Sequence, residues 1–346
     1  MDNNQYIPAA VELPRVTKET KNKIRVDFER SPLMERLKAK FLSTFFLTKV
    51  VWYIFRLILL LGISYIILFP FFAKISGSFM SMEDFVDVTV RLVPKNWTLD
   101  TYKAIIVENQ YLQAFTNTLL LSLSTALIQT FICCFIGYGL AKFRFKGNKL
   151  ILFLVVFTMI VPHRTIQVSL KQAFQYFDIW GILQAITGKT IKLTGTYWPL
   201  IMMSATGLAF KNGLFVFMMR QFFTGVPDEL EESAYVDGSG VYRTFLQIIL
   251  PLSVPMMITI FLLSFSWQWT DNFYTELFFT TSKITLMPDV VEVPTSLKTD
   301  YAGQNMYYAA IRNTCGLCII APLVILYCFG QNFLVQGIER SGLTAE

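Results

Sequence analysis

The sequence predicts an all-α protein with six transmembrane helices, and three observations carry that prediction. The 346 residues are 54% hydrophobic and only 16% charged, with a mean hydropathy of +0.49, where a soluble domain carries about a quarter charged residues. Six apolar runs approach the roughly 20 residues that cross a bilayer as a helix. Basic residues sit where an even number of crossings would place them on one side. The tail 1–50 is rich in Lys and Arg, and the loop 142–149 holds Lys142, Arg144, Lys146 and Lys149 without an acid. Both belong on the cytoplasmic side, which requires two spans between them.

Composition also excludes. One histidine, His163, cannot share a metal with a second, and the five cysteines all lie in apolar runs. Cys315 and Cys318 have redox-motif spacing, but inside a span and without a βαβ pattern they read as small packing residues. No Gly-x-x-x-x-Gly-Lys-Ser/Thr loop occurs, so the chain carries no usual phosphate cradle for ATP. A net charge of +6 suits loops facing anionic lipid better than nucleic acid. No catalytic or metal site is expected.

The elements follow in order. Residues 1–50 form a basic cytoplasmic tail, without the short apolar stretch and small-residue cleavage site of a signal peptide. Ser31-Pro32 can start a helix in which Leu33, Leu37, Phe41 and Phe45 recur at helical spacing. That helix either lies amphipathically at the inner membrane surface or forms the first turns of span one. Span one covers 51–72, with Arg56 able to snorkel, and 74–111 is polar and outside. Span two covers 118–141. Span three covers 150–168 and contains Pro162. Residues 176–198 are outside, where Lys189 and Lys192 oppose the positive-inside bias. Span four covers 198–219. Lys211 within it either faces the bundle as a functional group or snorkels to the inner end. Span five covers 252–268 and span six 308–329, with 279–307 outside. A permease domain over 51–338 and a short cytoplasmic tail over 339–346 complete the chain.

Between spans four and five lies a polar island, 220–250, cytoplasmic by count yet acidic. Pro227 and then Asp228, Glu229, Glu231 and Glu232 start a helix, because acids suit the positive end of the helix dipole. Gly238 and Gly240 break it. A second short helix places Phe245, Leu246, Ile249 and Leu250 on one side, and Pro251 and Pro255 bend the chain into span five. An acidic, glycine-broken knob on a membrane face is shaped for another protein to grip. After span five, Trp267, Trp269, Asp271 and Asn272 form an aromatic and polar cluster. It reads either as a sugar-facing surface, with Trp269 and Asn272 as substrate-pathway residues, or as an interfacial aromatic belt.

The spacing Glu232-Ser233-Ala234, three residues, Gly238, nine residues, Ile248, one residue, Leu250-Pro251 resembles the EAA signature of permease subunits of bacterial ABC importers. Serine stands for the usual central alanine. The carbohydrate branch, of maltose type, is resembled further at Asn117-Thr118-Leu119, Gly137 to Ala141, Phe145-Lys146-Gly147, Arg220 to Phe223, Val226 to Glu232, Trp269 with Asn272-Phe273, and Gln331 to Gly337. The likeness spans about residues 55–338.

The resemblance implies an ABC type I importer permease of MetI-like fold, not itself an enzyme, in a bacterial inner membrane with both termini cytoplasmic. It implies a second, related permease as heterodimer partner, two cytoplasmic ABC ATPases that bind ATP and Mg, and an extracellular solute-binding protein. Glu232, Ser233, Ala234, Asp237, Gly238, Leu250 and Pro251 are then the ATPase-coupling residues. The solute implied is a carbohydrate, in keeping with spans that hold few charges. A permease for a different solute is the alternative. A membrane-embedded enzyme would need intramembrane acids or histidines, and a secondary transporter coupling-ion carboxylates and an inverted repeat. The C-terminus lacks the Ala-Val-Lys-Gly-like ending by which family members reach between the ATPases.

Overall fold

In a helix every backbone N–H and C=O is satisfied within the segment, which is why apolar runs of this length fold as helices where water is absent. The computed structural model describes residues 15–19, 25–29, 34, 44–209, 211–279, 282–300 and 304–342. It divides into two compact units, Met1–Phe72 and Ala73–Glu346.

The first unit holds a two-stranded antiparallel hairpin, β1 (Arg15–Glu19) with β2 (Arg25–Glu29). The sequence reading gave this tail no strands. In its register Arg15 stands opposite Glu29, Glu19 opposite Arg25, and Val16 opposite Phe28. Leu33, Leu37 and Phe41 of the expected amphipathic helix lie outside the described residues. Helix α1 (Thr44–Gly77) then runs the length of expected span one. Residues 51–72 are all exposed, and a helix apolar on every side is a membrane span.

In the second unit, the segment expected outside is folded. Its short helices α2 (Met82–Val86) and α3 (Asp100–Val107) flank a turn held by Asp84. This carboxylate, 2% exposed, accepts the backbone N–H of Lys95 (3.1 Å) and the backbone N–H (3.0 Å) and side-chain amide (3.1 Å) of Asn96. Helix α4 (Tyr111–Lys142) contains span two. Residues Asn117 and Thr118 at its start tie down the later segment expected outside: Asn117 Nδ2 donates to the Thr285 carbonyl (3.0 Å) and Thr118 Oγ1 accepts Met287 N–H (2.9 Å).

Two expected spans are not straight helices. Span three is α5 (Asn148–Ile160) followed by α6 (His163–Gln175), bent by 101°. Pro162 causes the break: it lacks an N–H, and it forces Val161 out of the helical region to φ −68°, ψ 120°. Short helix α7 (Ile182–Thr187) follows. Span four is α8 (Trp198–Ala205) and α9 (Asn212–Thr224), parted where Gly207 and Lys211 take left-handed φ of +74° and +67°. Lys211 is thus neither mid-helix nor at the inner end but at the break, with its ammonium 5.3 Å from the Trp267 ring centre. Among the described residues four helices are long and apolar enough to cross a membrane, or five if the bent pair counts as one span.

The chain continues through α10 (Glu229–Val236), α11 (Val241–Thr244) and α12 (Leu250–Trp269). Pro251 and Pro255 stand inside one continuous helix. A π turn over Phe245–Ile249 joins α11 to α12, with Leu250 N–H bonded to the Phe245 carbonyl. This wide turn shifts the hydrogen-bond register ahead of Pro251 and absorbs the missing donor, so helix runs from Val241 to Trp269. Helices α13 (Phe273–Phe279) and α14 (Gln304–Gly342) close the fold. The expected tail 339–346 is described only to Gly342, where the helix continues.

Helix α4 packs against α8, α9 and α12, and α12 packs against α14. Glycines allow the closest crossings. A Cβ on Gly137 would lie 2.5 Å from Met219 Cβ, one on Gly213 2.6 Å from Thr158 Oγ1, and one on Gly330 2.5 Å from Leu262 Cδ1. Small residues at helix crossings let backbones approach where lipid supplies no hydrophobic drive.

Candidate functional site

The elbow between α9 and α12 is built by a helix end that only glycine closes well. Gly238 takes φ +83°. Ser239 N–H bonds to the Ala234 carbonyl (2.9 Å) and Gly238 N–H to the Tyr235 carbonyl (3.0 Å). This pair of bonds is the Schellman arrangement, which satisfies orphan carbonyls and needs a left-handed residue at this position. The spacing of Ala234 and Gly238 in the sequence therefore has a geometric cause.

The expected coupling residues divide by exposure. Glu232, Ser233, Asp237, Gly238 and Pro251 are exposed, Leu250 is half-buried, and Ala234 is buried. Ala234 thus packs inward under the helix. The exposed acids share their surface with two apolar side chains that sequence reasoning did not single out, Val236 (87% exposed) and Tyr242 (86%). Apolar anchors ringed by charge are the composition of a protein-binding surface. Their signal in the sequence was weak: two apolar residues flanking the glycines of a polar stretch.

The root of the elbow is held by span two. Lys142 Nζ lies 2.7 Å from the Val226 carbonyl oxygen and 2.5 Å from Asp228 Oδ1. That hydrogen bond first, and the Lys142 charge second, hold the Asp228 carboxyl below the usual carboxylate range. Tyr138 packs edge-on against Phe223 at 5.4 Å and tilted against Phe245 at 4.6 Å between ring centres.

Trp269 and Asn272, the expected pathway residues, are not brought together. Trp269 is fully buried between Phe115 and Phe265, and its indole N–H donates to the Ile319 carbonyl at 3.0 Å. Its ring lines neither cavity described below and packs in the core of this chain. The reason is that α12 turns Trp269 toward α14 and Trp267 toward α9. Asn272 is exposed and donates to Glu276 Oε1 at 2.7 Å.

Two cavities lie elsewhere in this unit, the smaller beside α12. A small polar one is lined by Gln129, Ser204, Ser264, Trp267, Gln268 and Asp271. Gln129 and Ser264 are hydrogen-bonded across it. Just past α12, Asp271 accepts the backbone N–H groups of Tyr274 (2.9 Å) and Thr275 (3.1 Å). Burial outweighs those bonds and pushes its carboxyl up to about 6. A larger cavity of about 860 Å³ lies in the crook of the α5–α6 bend, lined by His163, Trp180, Met202, Lys211 and Tyr274 among others. Tyr274 Oη and His163 Nδ1 are 2.9 Å apart at its wall.

Comparison with known proteins agrees with this architecture. A family profile described as "Binding-protein-dependent transport system inner membrane component" matches residues 134–340. The chain is 28% identical over 296 residues to the probable ABC transporter permease protein YurM of Bacillus subtilis (strain 168), covering 85% of this chain and 87% of that one. It is 27% identical over 295 residues to the galactooligosaccharides transport system permease protein GanQ of the same organism, covering 84% and 94%. Its fold is similar to a chain in a crystal structure of a bacterial ABC transporter involved in the import of the acidic polysaccharide alginate. The TM-score is 0.61 at 18% identity, with 82% of this chain and 97% of that one covered. The long apolar helices, the elbow and the profile over more than half the chain lead to one conclusion: the protein is a multi-pass membrane permease that belongs to the binding-protein-dependent transport system inner membrane component family.

Proposed function

We propose that this chain forms half of the translocation pathway of an ATP-driven importer for a carbohydrate, an oligosaccharide above all. Six crossings put both termini and the elbow 220–250 in the cytoplasm. A second permease completes the pathway, a solute-binding protein delivers the sugar from outside, and two separate ATPases bind ATP and Mg and do the hydrolysis. The observation that carries the coupling half is the elbow: an exposed acidic and apolar surface on α10, closed by a left-handed Gly238. Glu232 and Asp237 supply charge-assisted contacts to basic groups on the ATPase. Val236 and Tyr242 supply apolar anchors. Closure of the ATPase dimer then moves the elbow, and the spans rock between inward- and outward-open states.

The names of relatives support the solute class. Besides the galactooligosaccharide permease, they include a maltodextrin permease (MdxG) and an arabinooligosaccharide permease (AraQ), both of Bacillus subtilis (strain 168). The test is the complete reconstituted transporter with labelled oligosaccharides. Gly238→Val forces a β-branched residue into the left-handed region, which costs about 1–2 kcal/mol and distorts the turn. Uptake is expected to fall to background while the subunit stays in the membrane. Wild-type uptake by that variant removes the coupling assignment, and uptake of amino acids or ions in place of sugars removes the solute class.

A further inference from the structure

Lys142 ends α4 and does not face water. A basic residue at the cytoplasmic end of a span ordinarily needs no protein partner, since the helix dipole and hydration both suit it. Here the side chain is 6% exposed, and its ammonium is satisfied by the Val226 carbonyl and the Asp228 carboxylate. A cation is kept out of water only where such partners offset its desolvation. Asp228 is 70% exposed, so the ion pair alone contributes little, and the bond to the Val226 carbonyl carries more of the hold.

The placement of the two acceptors is what matters. Val226 and Asp228 flank Pro227, where α9 gives way to the elbow, and Asp228 is the cap residue of α10. One turn earlier on α4, the Tyr138 ring meets Phe223 of α9 and Phe245 of the π turn. Beside it, Gly137 brings the α4 backbone against Met219 and Arg220. Three residues of one helix therefore grip both arms and the root of the elbow. The tip, at Gly238 and Gly240, has open space around each Cα.

Resting on the proposal that an ATPase holds α10, we infer that Lys142 is a positioning residue that locks the elbow to the end of α4, so that force on α10 moves α4. The same helix carries Gln129 into the polar cavity beside Ser264 and Asp271. Movement of the elbow thus reaches the interior of the bundle through span two, and not only through α12, which follows the elbow in the chain.

The test uses the complete transporter in liposomes and reads solute imported per ATP hydrolysed, on complexes that co-purify. That ratio does not depend on yield or folding efficiency. Lys142→Met removes both bonds and is expected to lower the ratio about tenfold, the effect of losing about 1.4 kcal/mol of coupling. Lys142→Arg reaches both acceptors with its own donors and is expected to stay within about twofold of wild type. Wild-type import per ATP by Lys142→Met overturns the inference, and so does a Lys142→Arg ratio as low as that of Lys142→Met. Where Lys142→Met does not assemble, Lys142→Ala, which also has no donor, carries the same two outcomes. Gly238→Val separates the two proposals. If it transports normally, the ATPase-held elbow falls and Lys142 with it. If it uncouples while Lys142→Met does not, Lys142 alone falls.

Discussion

Two glycines two residues apart in the same helix show how local geometry decides the meaning of a residue. Gly137 sits where α4 crosses α9, and a Cβ there would come within 2.5 Å of Met219 Cβ and 2.9 Å of the Arg220 nitrogen. Gly139 has nothing within 4 Å. Gly137→Val must push two packed backbones apart, which costs about 1–3 kcal/mol, and the thermal midpoint of the detergent-purified protein is expected to fall by several degrees. Gly139→Ala adds a methyl into open space and is expected to leave the midpoint unchanged or slightly raised. Equal losses at both positions would remove the close crossing. Asp271 provides a residue-scale test by pH. Its folded-state carboxyl is lifted to about 6 by burial, above the ordinary value of about 3.9. The folded protein therefore holds this proton more tightly than the unfolded chain. That contribution is complete below the ordinary carboxylate range and fades as pH rises through about 6. The midpoint is expected to decline across this window, and Asp271→Asn to flatten that decline.

Among the elements, the segment 78–110 shows that a stretch that reads as a polar loop can be built as firmly as a helix. Asp84 gathers backbone and side-chain donors of Lys95 and Asn96, as helices do with their caps. Asp84→Ala removes the buried acceptor of these bonds, at about 1.5–3 kcal/mol for a hydrogen bond to a charged group. Limited proteolysis is expected to cut between residues 87 and 97 in the variant and to spare the wild type. Equal cutting would show that the knot does not order the segment. The broken spans make the complementary point. Pro162 bends α5 from α6, and the left-handed residues Gly207 and Lys211 part α8 from α9. The larger cavity lies in the crook these breaks create, with His163 and Lys211 at its wall. Straight spans would leave no such space.

For the molecule as a whole, the distribution of exposed apolar surface is the governing fact. Residues 51–72 of α1 are exposed throughout, whereas α4 and α12 bury residues along their length against one another. Exposed apolar patches of that extent mark contact with lipid or with another protein. In a bilayer, a photoactivated acyl label is expected to attach across 51–72 and to spare the buried positions of α4, such as Ala126 and Cys133. Labelling of 51–72 by a water-soluble alkylating reagent on single-cysteine variants, with no acyl labelling, would overturn the membrane placement of α1.

What the sequence determined by itself was the class, the rough place of the apolar segments, and the glycine-closed turn of the elbow. These depend on local physics: an apolar run of spanning length has to become a helix, and a helix that ends at Gly238 with Ala234 four residues earlier has to turn there. Asn117 and Thr118 were legible only as a likeness, and their task of pinning Thr285 and Met287 belongs to the folded chain. The tertiary structure alone decided which way Trp269 faces, where Lys211 ends up, and that Lys142 reaches residues 84 and 86 positions ahead in the chain. Each of these depends on helix rotation and on breaks set by packing against distant segments. A one-residue step along a helix turns a side chain by about 100°, so Trp267 and Trp269 read alike in the sequence and come to opposite sides of the same helix.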